Sequence, residues 1–194
     1  MILVAAAGRS VISAMSTPEG EWMRADVKYT MVKSDKPSRP ADIGIIRQYQ
    51  PEDADPASNL ARACLMLDPL MPPAVKEVLI RAESPAIMRE RANLFYVAVC
   101  VVEGRIAGVA GVDMNEIRLL LVDPEHQHKG IGGLLLDHLE SMVPSGLFRD
   151  IFVYSTPSAV GFYRIHGYQA GGEHTFHVGG CNIPTTFMTK RLAS

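Results

Sequence analysis

The fold is decided by residues 123–133, which read Asp-Pro-Glu-His-Gln-His-Lys-Gly-Ile-Gly-Gly. They follow an apolar run at residues 117–122 that has the length of a sheet strand, and the Asp-Pro pair ends that run. Apolar residues then recur at helical spacing between Leu134 and Met142. The segment therefore predicts a loop that joins a central strand to the first turn of a helix.

Three glycines lie at this predicted helix start. Because Gly130, Gly132 and Gly133 have no β-carbon, a ligand can approach the backbone closely there. The amides of a first helical turn have no partner within the helix, and together with the positive helix end they favour a phosphate or pyrophosphate. Lys129 adds a positive charge at the same place. On the glycines alone, a loop that only turns tightly into a helix explains the pattern equally well.

Spacing excludes two common nucleotide-binding motifs. A Walker loop needs a lysine and a hydroxyl residue after its glycines, whereas Lys129 precedes them and no hydroxyl residue follows. A dinucleotide fingerprint needs a third glycine where this chain has Leu135, and no early βαβ unit surrounds the segment.

A third motif does fit. The sequence Gln127-His128-Lys129-Gly130-Ile131-Gly132, after a strand that ends at Val122, resembles the GNAT signature Gln/Arg-x-x-Gly-x-Gly/Ala, which holds the pyrophosphate of coenzyme A. The resemblance implies that residues 127–133, Gly133 included, contact this cofactor. It also implies that a bulge splays the preceding strand and that its backbone near Leu121 and Val122 pairs with the pantetheine arm.

A second segment supports the same resemblance. Residues 157–168 are similar to the family's Asn-x-x-Ala-x-x-Phe/Leu-Tyr-x-x-x-Gly-Phe helix, although Thr156 stands where asparagine is frequent. The resemblance implies that Thr156, Ala159 and Tyr163 contact the cofactor. It covers residues 43–190 and is tight from 116 to 168. The residues that match this helix motif are Ala159, Phe162, Tyr163, Gly167 and Tyr168.

The resemblance implies an α/β (α+β) fold. We expect a mixed, mostly antiparallel sheet of six to seven strands, splayed at the acyl-CoA site and flanked by about four helices. Patterns elsewhere agree with this fold, since two helices follow the first predicted strand and a hairpin precedes the cofactor strand. The predicted elements are a strand at Ile43–Arg47, a helix from Pro51, a helix at Ala74–Arg81, hairpin strands at Phe95–Val102 and Ile106–Val112, and a strand at Ile151–Tyr154.

The chain reads as one domain with a tail. Residues 34–40 are polar and rich in proline, and the stretch before them lacks a sustained strand or helix pattern. We therefore expect residues 1–40 to be a partly disordered tail and residues 41–194 to be the acetyltransferase domain. Two alternative hypotheses are that translation starts at Met31 and that residues 1–40 form a short packed element.

Two side chains are candidate catalytic groups. Tyr163 lies where many relatives place the acid that protonates the departing thiolate, and its alternative role is packing beside Phe162. Glu116 lies where some relatives carry a base that removes the amine proton through water. Its alternative is an exposed carboxylate at a strand end. The oxyanion donor is expected to be a backbone amide near Val122, freed by the bulge.

Composition narrows the function further. A net charge of −2 gives no overall positive field for nucleic acid or an anionic membrane. Cys64, Cys100 and Cys181 are odd in number and far apart, which argues against disulfides or zinc, and His126 and His128 are expected to be exposed loop residues rather than metal ligands. We therefore expect no metal site. We also expect a cytoplasmic protein, since no apolar run has the length of a membrane span.

The predicted activity is transfer of acetyl, or a related short acyl group, from acetyl-CoA to a primary amine of a small molecule or peptide. The alternative is a non-catalytic acyl-CoA-binding or sensing module with the same fold. Acceptor recognition is expected from residues 53–91 and 171–185, which carry no readable motif. A homodimer is possible for this fold.

Overall fold

The computed structural model describes residues 44–192, so the predicted tail, Met31 and the start of the predicted domain lie outside the described residues. The described chain forms a seven-stranded sheet with the order β1-β2-β3-β4-β5-β7-β6. All neighbouring strands are antiparallel except β4 and β5. The strands are β1 Ile45–Gln48, β2 Tyr96–Val102, β3 Arg105–Asp113, β4 Glu116–Val122, β5 Asp150–Ser155, β6 Gln169–Val178 and β7 Cys181–Arg191. The α-helices are α1 Ala54–Leu67, α2 Pro73–Ala82, α3 Pro85–Leu94, α4 Ile131–Met142 and α5 Val160–Ile165.

The sheet has a hydrophobic core on each face. On one face, side chains of α4 and α5 pack against β3, β4, β5 and β7, with Leu135, Leu139 and Tyr163 fully buried. On the other face, α1, α2 and α3 cover β2, β3 and β4 through residues such as Leu65 and Leu79. This three-layer arrangement confirms the predicted fold class, and no helix of residues 44–192 is both long and apolar enough to cross a membrane.

Helix α3 was not predicted, and it makes three helices rather than two between β1 and β2. Its start has a local cause, because the Ser84 hydroxyl accepts a hydrogen bond from the Ile87 amide at 3.3 Å and Pro85 occupies the first turn. Met88 is its only fully buried residue, so the helix lacks a strong apolar stripe. The sequence signal for the start of this helix was the pair Ser84-Pro85, because its apolar residues do not form a clear helical pattern.

The predicted hairpin is confirmed as β2 and β3. Glu103 and Gly104 form its two-residue turn with φ angles of +50° and +77°. Positive φ at both positions suits the right-handed twist of the paired strands. The hairpin places β3 beside β4, the strand that carries the candidate site.

Candidate active site

A gap opens in the sheet between β4 and β5. The two strands pair only at Glu116 and Ile117, at the start of β4. Pairing between β4 and β3 continues on the other side as far as Val122. The C-terminal half of β4 therefore has one edge that β5 does not cover, which is the splayed sheet expected from the sequence.

A β-bulge decides which backbone groups of β4 face this gap. Ile117 and Leu119 oppose consecutive residues of β3, which leaves Arg118 as the extra residue. The side chains agree, because Ile117 is buried under α4 and α5 whereas Leu119 is buried on the α1 face. The bulge was expected beside Val122, but it lies four residues before that residue.

The hydrogen bonds between β3 and β4 after the bulge show which amides of β4 face β3 and which face the gap. The Asp123 amide donates to the Ala107 carbonyl of the β3 side at 2.9 Å. Since alternate residues of an antiparallel strand face the same neighbour, the backbone of Leu121 also faces β3. The backbone groups of Leu120 and Val122 then face the gap. The pantetheine contact expected at Leu121 stays a prediction, although the bulge turns the backbone groups of this residue towards β3 and not towards the gap.

The end of β4 is held by two side chains. The carbonyl of Val122 accepts hydrogen bonds from the Cys64 thiol and from the Gln127 side-chain amide, each at 3.2 Å. Burial raises the pKa of Cys64 to about 11, so the thiol keeps the proton that it donates. Gln127 therefore ties the loop to the strand that precedes it, a structural role that the motif alone did not indicate.

The start of α4 is open to a ligand. Gly130 is its N-cap residue with a φ of +90°, and no side chain of the described chain caps the helix there. The first helical bond runs from the Leu134 amide to the Gly130 carbonyl at 3.0 Å, so the amides before Leu134 are free of intrahelical partners. Lys129 and His128 are exposed beside them. This local electropositive end can bind a phosphate group.

Gly133 has a different role from the other glycines of the loop. A β-carbon at this position would lie 2.9 Å from Nε2 of His166, at the end of α5. The other ring nitrogen, Nδ1, is 2.9 Å from the carbonyl of Phe162, so it carries the proton and donates this bond. The absence of a side chain at Gly133 makes room for the imidazole, which brings His166 beside the first turn of α4. Sequence reasoning did not include His166 in the site.

Tyr163 is enclosed in the core between α5 and the sheet. It is fully buried, and its ring makes edge-on contacts with Phe162 and Tyr168, both with centroids 5.2 Å away. Its hydroxyl is one of the buried polar atoms of residues 44–192 that have no hydrogen-bond partner. Desolvation raises the pKa of this phenol, so it is a proton donor and not a phenolate. A buried, unpaired hydroxyl is costly unless a ligand pairs with it.

Glu116 lies at the closed end of the gap. Its carboxylate is 2.9 Å from a guanidinium nitrogen of Arg118, and the two side chains are only 19% and 22% exposed. The alternative of an exposed carboxylate is therefore wrong. Val122 lies six residues further along the strand, or about 20 Å at the usual rise of an extended chain.

The turn between β5 and α5 is joined to the end of α1. The Thr156 and Ser158 hydroxyls are 3.1 Å apart, and the Ser158 hydroxyl donates to the Asp68 carboxylate at 2.6 Å. Ala159 is fully buried behind them. Asp68 is itself only 5% exposed, so this polar link fixes the second wall of the gap. No sequence signal pointed to Asp68, because the contact spans most of the domain.

The two histidines of the loop have different surroundings. His126 is half-buried, with Nδ1 lying 3.2 Å from the Asp123 carboxylate, whereas His128 is exposed. Within the part of the chain that the structure describes, no group of three potential ligands is arranged to hold a metal ion.

Comparisons with known proteins agree with this geometry. A family model described as an acetyltransferase (GNAT) domain matches residues 68–192. No curated protein matches the chain significantly.

Among solved structures, a GCN5-related N-acetyltransferase from Rhodopseudomonas palustris is 24% identical, with a TM-score of 0.73 over 77% of this chain and 96% of that one. The PaiA N-acetyltransferase from Thermoplasma acidophilum, solved with coenzyme A, is 22% identical, with a TM-score of 0.58 over 76% and 98%. The putative acetyltransferase YncA from Salmonella typhimurium, solved with acetyl-CoA, is 17% identical, with a TM-score of 0.57 over 78% and 95%. These likenesses show a shared fold, and the family match covers more than half of the chain. The protein belongs to the GNAT acetyltransferase family.

Proposed function

We propose that the protein transfers an acetyl group from acetyl-CoA to a primary amine of a small molecule or peptide by direct attack of the amine. One observation carries the proposal. The gap between β4 and β5 joins two features that suit an acyl-CoA, namely the uncapped start of α4 and a strand edge with outward-facing backbone groups. The thioester of this cosubstrate supplies the activated acyl group, whose bond to sulfur is exchanged for a bond to the amine nitrogen.

The residues of the site fit the parts of coenzyme A. The free amides at the start of α4, with Lys129 beside them, suit the pyrophosphate. The uncovered edge of β4, whose free groups include the amide and carbonyl of Leu120, suits the amides of the pantetheine arm, as an added strand would. Two structurally similar proteins were solved with coenzyme A and with acetyl-CoA, which supports this placement.

Two protein groups are assigned to the chemistry. The amide of Val122 faces the gap and is assigned to the developing negative charge on the acyl oxygen. The hydroxyl of Tyr163 holds a proton, lacks a partner among residues 44–192 and is assigned to protonate the departing sulfur. The amine attacks in its neutral form, and the surplus proton on its nitrogen passes to solvent water once the new bond to the acyl carbon has formed. Glu116 is assigned no proton transfer, because it lies six residues along β4 from Val122, or about 20 Å at the usual rise of an extended chain.

The alternative is an acyl-CoA-binding module without catalysis. The full enclosure of Tyr163 favours it, because a packed tyrosine explains the side chain without any chemistry. Both functions require the cofactor site. They differ in whether the bound acyl-CoA is turned over in the presence of an amine.

Calorimetry with coenzyme A and a thiol-release assay with acetyl-CoA separate these functions. We expect micromolar binding and thiol release that depends on an added amine. Binding without release across amines, amino acids and peptides would support the alternative. Absence of binding would overturn both functions.

A further inference from the structure

The buried carboxylates of the described chain differ in their partners. Asp53, Asp68 and Glu83 are buried to the same extent, each with 5% of its surface exposed. Asp53 forms an ion pair with Arg47, and Glu83 forms one with Arg91. Asp68 forms no ion pair with any residue of 44–192. Because a buried charge is costly unless it is paired, Asp68 is the carboxylate suited to an external cation.

Two hydrogen bonds hold the Asp68 carboxylate in place. One oxygen accepts from the Leu70 amide at 2.9 Å, and the other accepts from the Ser158 hydroxyl at 2.6 Å. Both donors are uncharged, and each carboxylate oxygen can accept a further bond. Lys76, the lysine nearest in sequence, donates instead to the Met66 carbonyl at 3.0 Å. The carboxylate is therefore fixed in position and still able to bind a positively charged donor.

Asp68 lines a pocket on the side of the sheet that α1 and α2 cover. The other walls are the connection between α1 and α2, Val75 of α2, the turn after β5, and Ile183 and Pro184 of β7. Among residues 44–192, Thr156 is the only other polar residue of this lining. Apolar walls with a single carboxylate suit a ligand that has a hydrocarbon part and a positively charged end.

The pocket lies beside the open end of the gap, where the transfer is proposed to occur. Cys64, whose thiol donates to the Val122 carbonyl, precedes Asp68 by about one turn of α1, which advances the helix by about 6 Å. On the other side, Thr156 directly follows β5, the strand that forms the second wall of the gap. Asp68 is therefore near the strand end whose amide is assigned to the acyl oxygen, and not at the closed end of the gap.

We infer that the acceptor is a diamine with an apolar chain between its nitrogens, and that Asp68 binds the nitrogen that does not react. A nitrogen paired with a carboxylate is held in its protonated form, so it cannot be the nucleophile. The other nitrogen attacks, and a few methylene groups along the apolar walls span the distance of about one helical turn towards Val122. The inference rests on the proposed function for the role of acceptor, but binding at Asp68 does not require turnover.

The first test measures binding to the full chain at saturating coenzyme A by titration calorimetry. The probe is 1,4-diaminobutane, and its control is 1,4-butanediol, which keeps the chain but has no charge. We expect the diamine to bind at least about tenfold more tightly than the diol, at the scale of a hydrogen bond between charged groups.

A matched pair of variants locates the bound nitrogen. Asp68→Asn removes the negative charge at nearly constant volume, and its amide can still bond to Leu70 and Ser158. We expect it to weaken binding of the diamine about tenfold or more. Asp55→Asn makes the same change at the other end of α1, where the carboxylate is 72% exposed, and should leave the affinity unaltered. Circular dichroism and the affinity for coenzyme A verify that both variants are folded.

The second test compares kcat/KM for thiol release with 1,4-diaminobutane and with 1-aminobutane, which has one nitrogen only. A monoamine held at Asp68 is bound unproductively, which lowers kcat and KM together and leaves kcat/KM unaffected. We expect kcat/KM for the diamine to be about tenfold higher or more in the native chain. In Asp68→Asn this advantage should disappear, with kcat/KM for 1-aminobutane unchanged.

An unchanged affinity for the diamine in folded Asp68→Asn, or equal kcat/KM for the two amines in the native chain, would overturn the inference. The proposed function is judged separately. Binding that depends on Asp68 without thiol release from any amine would leave the cation site correct and the transfer wrong. Release with monoamines and no dependence on Asp68 would leave the transfer correct and this inference wrong.

Discussion

The side-chain amide of Gln127 donates a hydrogen bond to the carbonyl of Val122, across the turn that separates the end of β4 from the start of α4. The Cys64 thiol donates to the same oxygen, so one carbonyl anchors the loop and α1 together. The strand end and the helix start are thereby held at a fixed spacing. Predictions about cofactor binding depend on this relationship.

The first prediction concerns that anchor. Gln127→Leu removes the donor at similar volume, so the loop loses one of its ties to β4. We expect the dissociation constant of coenzyme A to rise by about 2- to 12-fold, which corresponds to the net value of one hydrogen bond of about 0.5–1.5 kcal/mol. Calorimetry measures it. Lys129→Leu is the comparison variant. The loss of affinity for coenzyme A that it causes should become smaller as salt is added, whereas the loss caused by Gln127→Leu should not.

The second prediction concerns the backbone at the start of α4. Gly130 has a φ of +90°, and Gly130→Glu adds both strain and a negative charge at the predicted pyrophosphate position. We expect binding of coenzyme A to be abolished. Gly146→Glu is the control, because a side chain at that exposed position meets open space. Retained affinity in Gly130→Glu would place the pyrophosphate elsewhere.

The third prediction separates stability from turnover at Tyr163. Because its buried hydroxyl has no partner among the described residues, Tyr163→Phe should leave the free energy of unfolding unchanged or raise it, by up to about 1–3 kcal/mol. Turnover should fall about 100-fold or more, with the affinity for coenzyme A unchanged. Urea denaturation and thiol release measure the two quantities. A loss of stability would reveal a protein partner for the hydroxyl, and unchanged turnover would remove it from the chemistry.

The fourth prediction tests the contact between Gly133 and His166. Alanine is a better helix former than glycine by up to about 1 kcal/mol, but at position 133 its β-carbon would meet the imidazole. Gly133→Ala should therefore be more favourable in a His166→Ala background than in the native chain. We expect a coupling energy of about 0.5–3 kcal/mol from a double-mutant cycle in urea. Additive effects would contradict the close approach.

The fifth prediction concerns pH. Two hydrogen bonds from Arg47, at 2.6 and 2.7 Å, lower the pKa of Asp53, whose side chain is 8% exposed at the start of α1. Because the pKa of the folded state lies below that of the unfolded chain, about 3.9, the pair stabilises the protein above that value. This contribution is lost as the pH falls towards the folded pKa.

The unfolding free energy measured from pH 6 down to pH 3 should therefore decline less steeply in Arg47→Met than in the native chain. Arg81→Met is the control, since its partner Glu77 is exposed and their ion pair should contribute little. Equal slopes for the native chain and Arg47→Met would show that Asp53 is not the titrating group.

The parts of the site that could be predicted from sequence are those formed by neighbours in the chain. The loop of residues 127–132 and the helix closed by Gly167, whose φ is +89°, depend on local backbone conformations that their own residues specify. Nearly continuous runs of β-branched and other apolar residues likewise identified β2, β3 and β4. Such local patterns determine the backbone conformation of the same few residues that form them.

The parts that were missed depend on contacts between distant segments. Cys64 bonds to Val122 across 58 positions, and Asp68 reaches Ser158 across 90. Neither residue belongs to a motif, and only the packing of α1 against the sheet brings them together. The direction in which the Leu121 backbone faces could not be predicted for another reason, since hydrophobicity identifies a strand but does not reveal that it contains one residue more than its partner.

The amides at the end of β4 depend on the number of residues between the bulge and the loop. Deleting Arg118 itself would only remove the extra residue, because Ile117 and Leu119 already oppose the consecutive residues Val112 and Gly111, and the segment 119–122 would keep its gap-facing edge. Deleting one residue between Leu119 and Val122 would instead reverse the direction of the backbone groups on one side of the deletion, so it should abolish cofactor binding where apolar substitutions do not. Sequence alignments of such strands must preserve the count of residues between the bulge and the loop if they are to transfer backbone contacts from one protein to another.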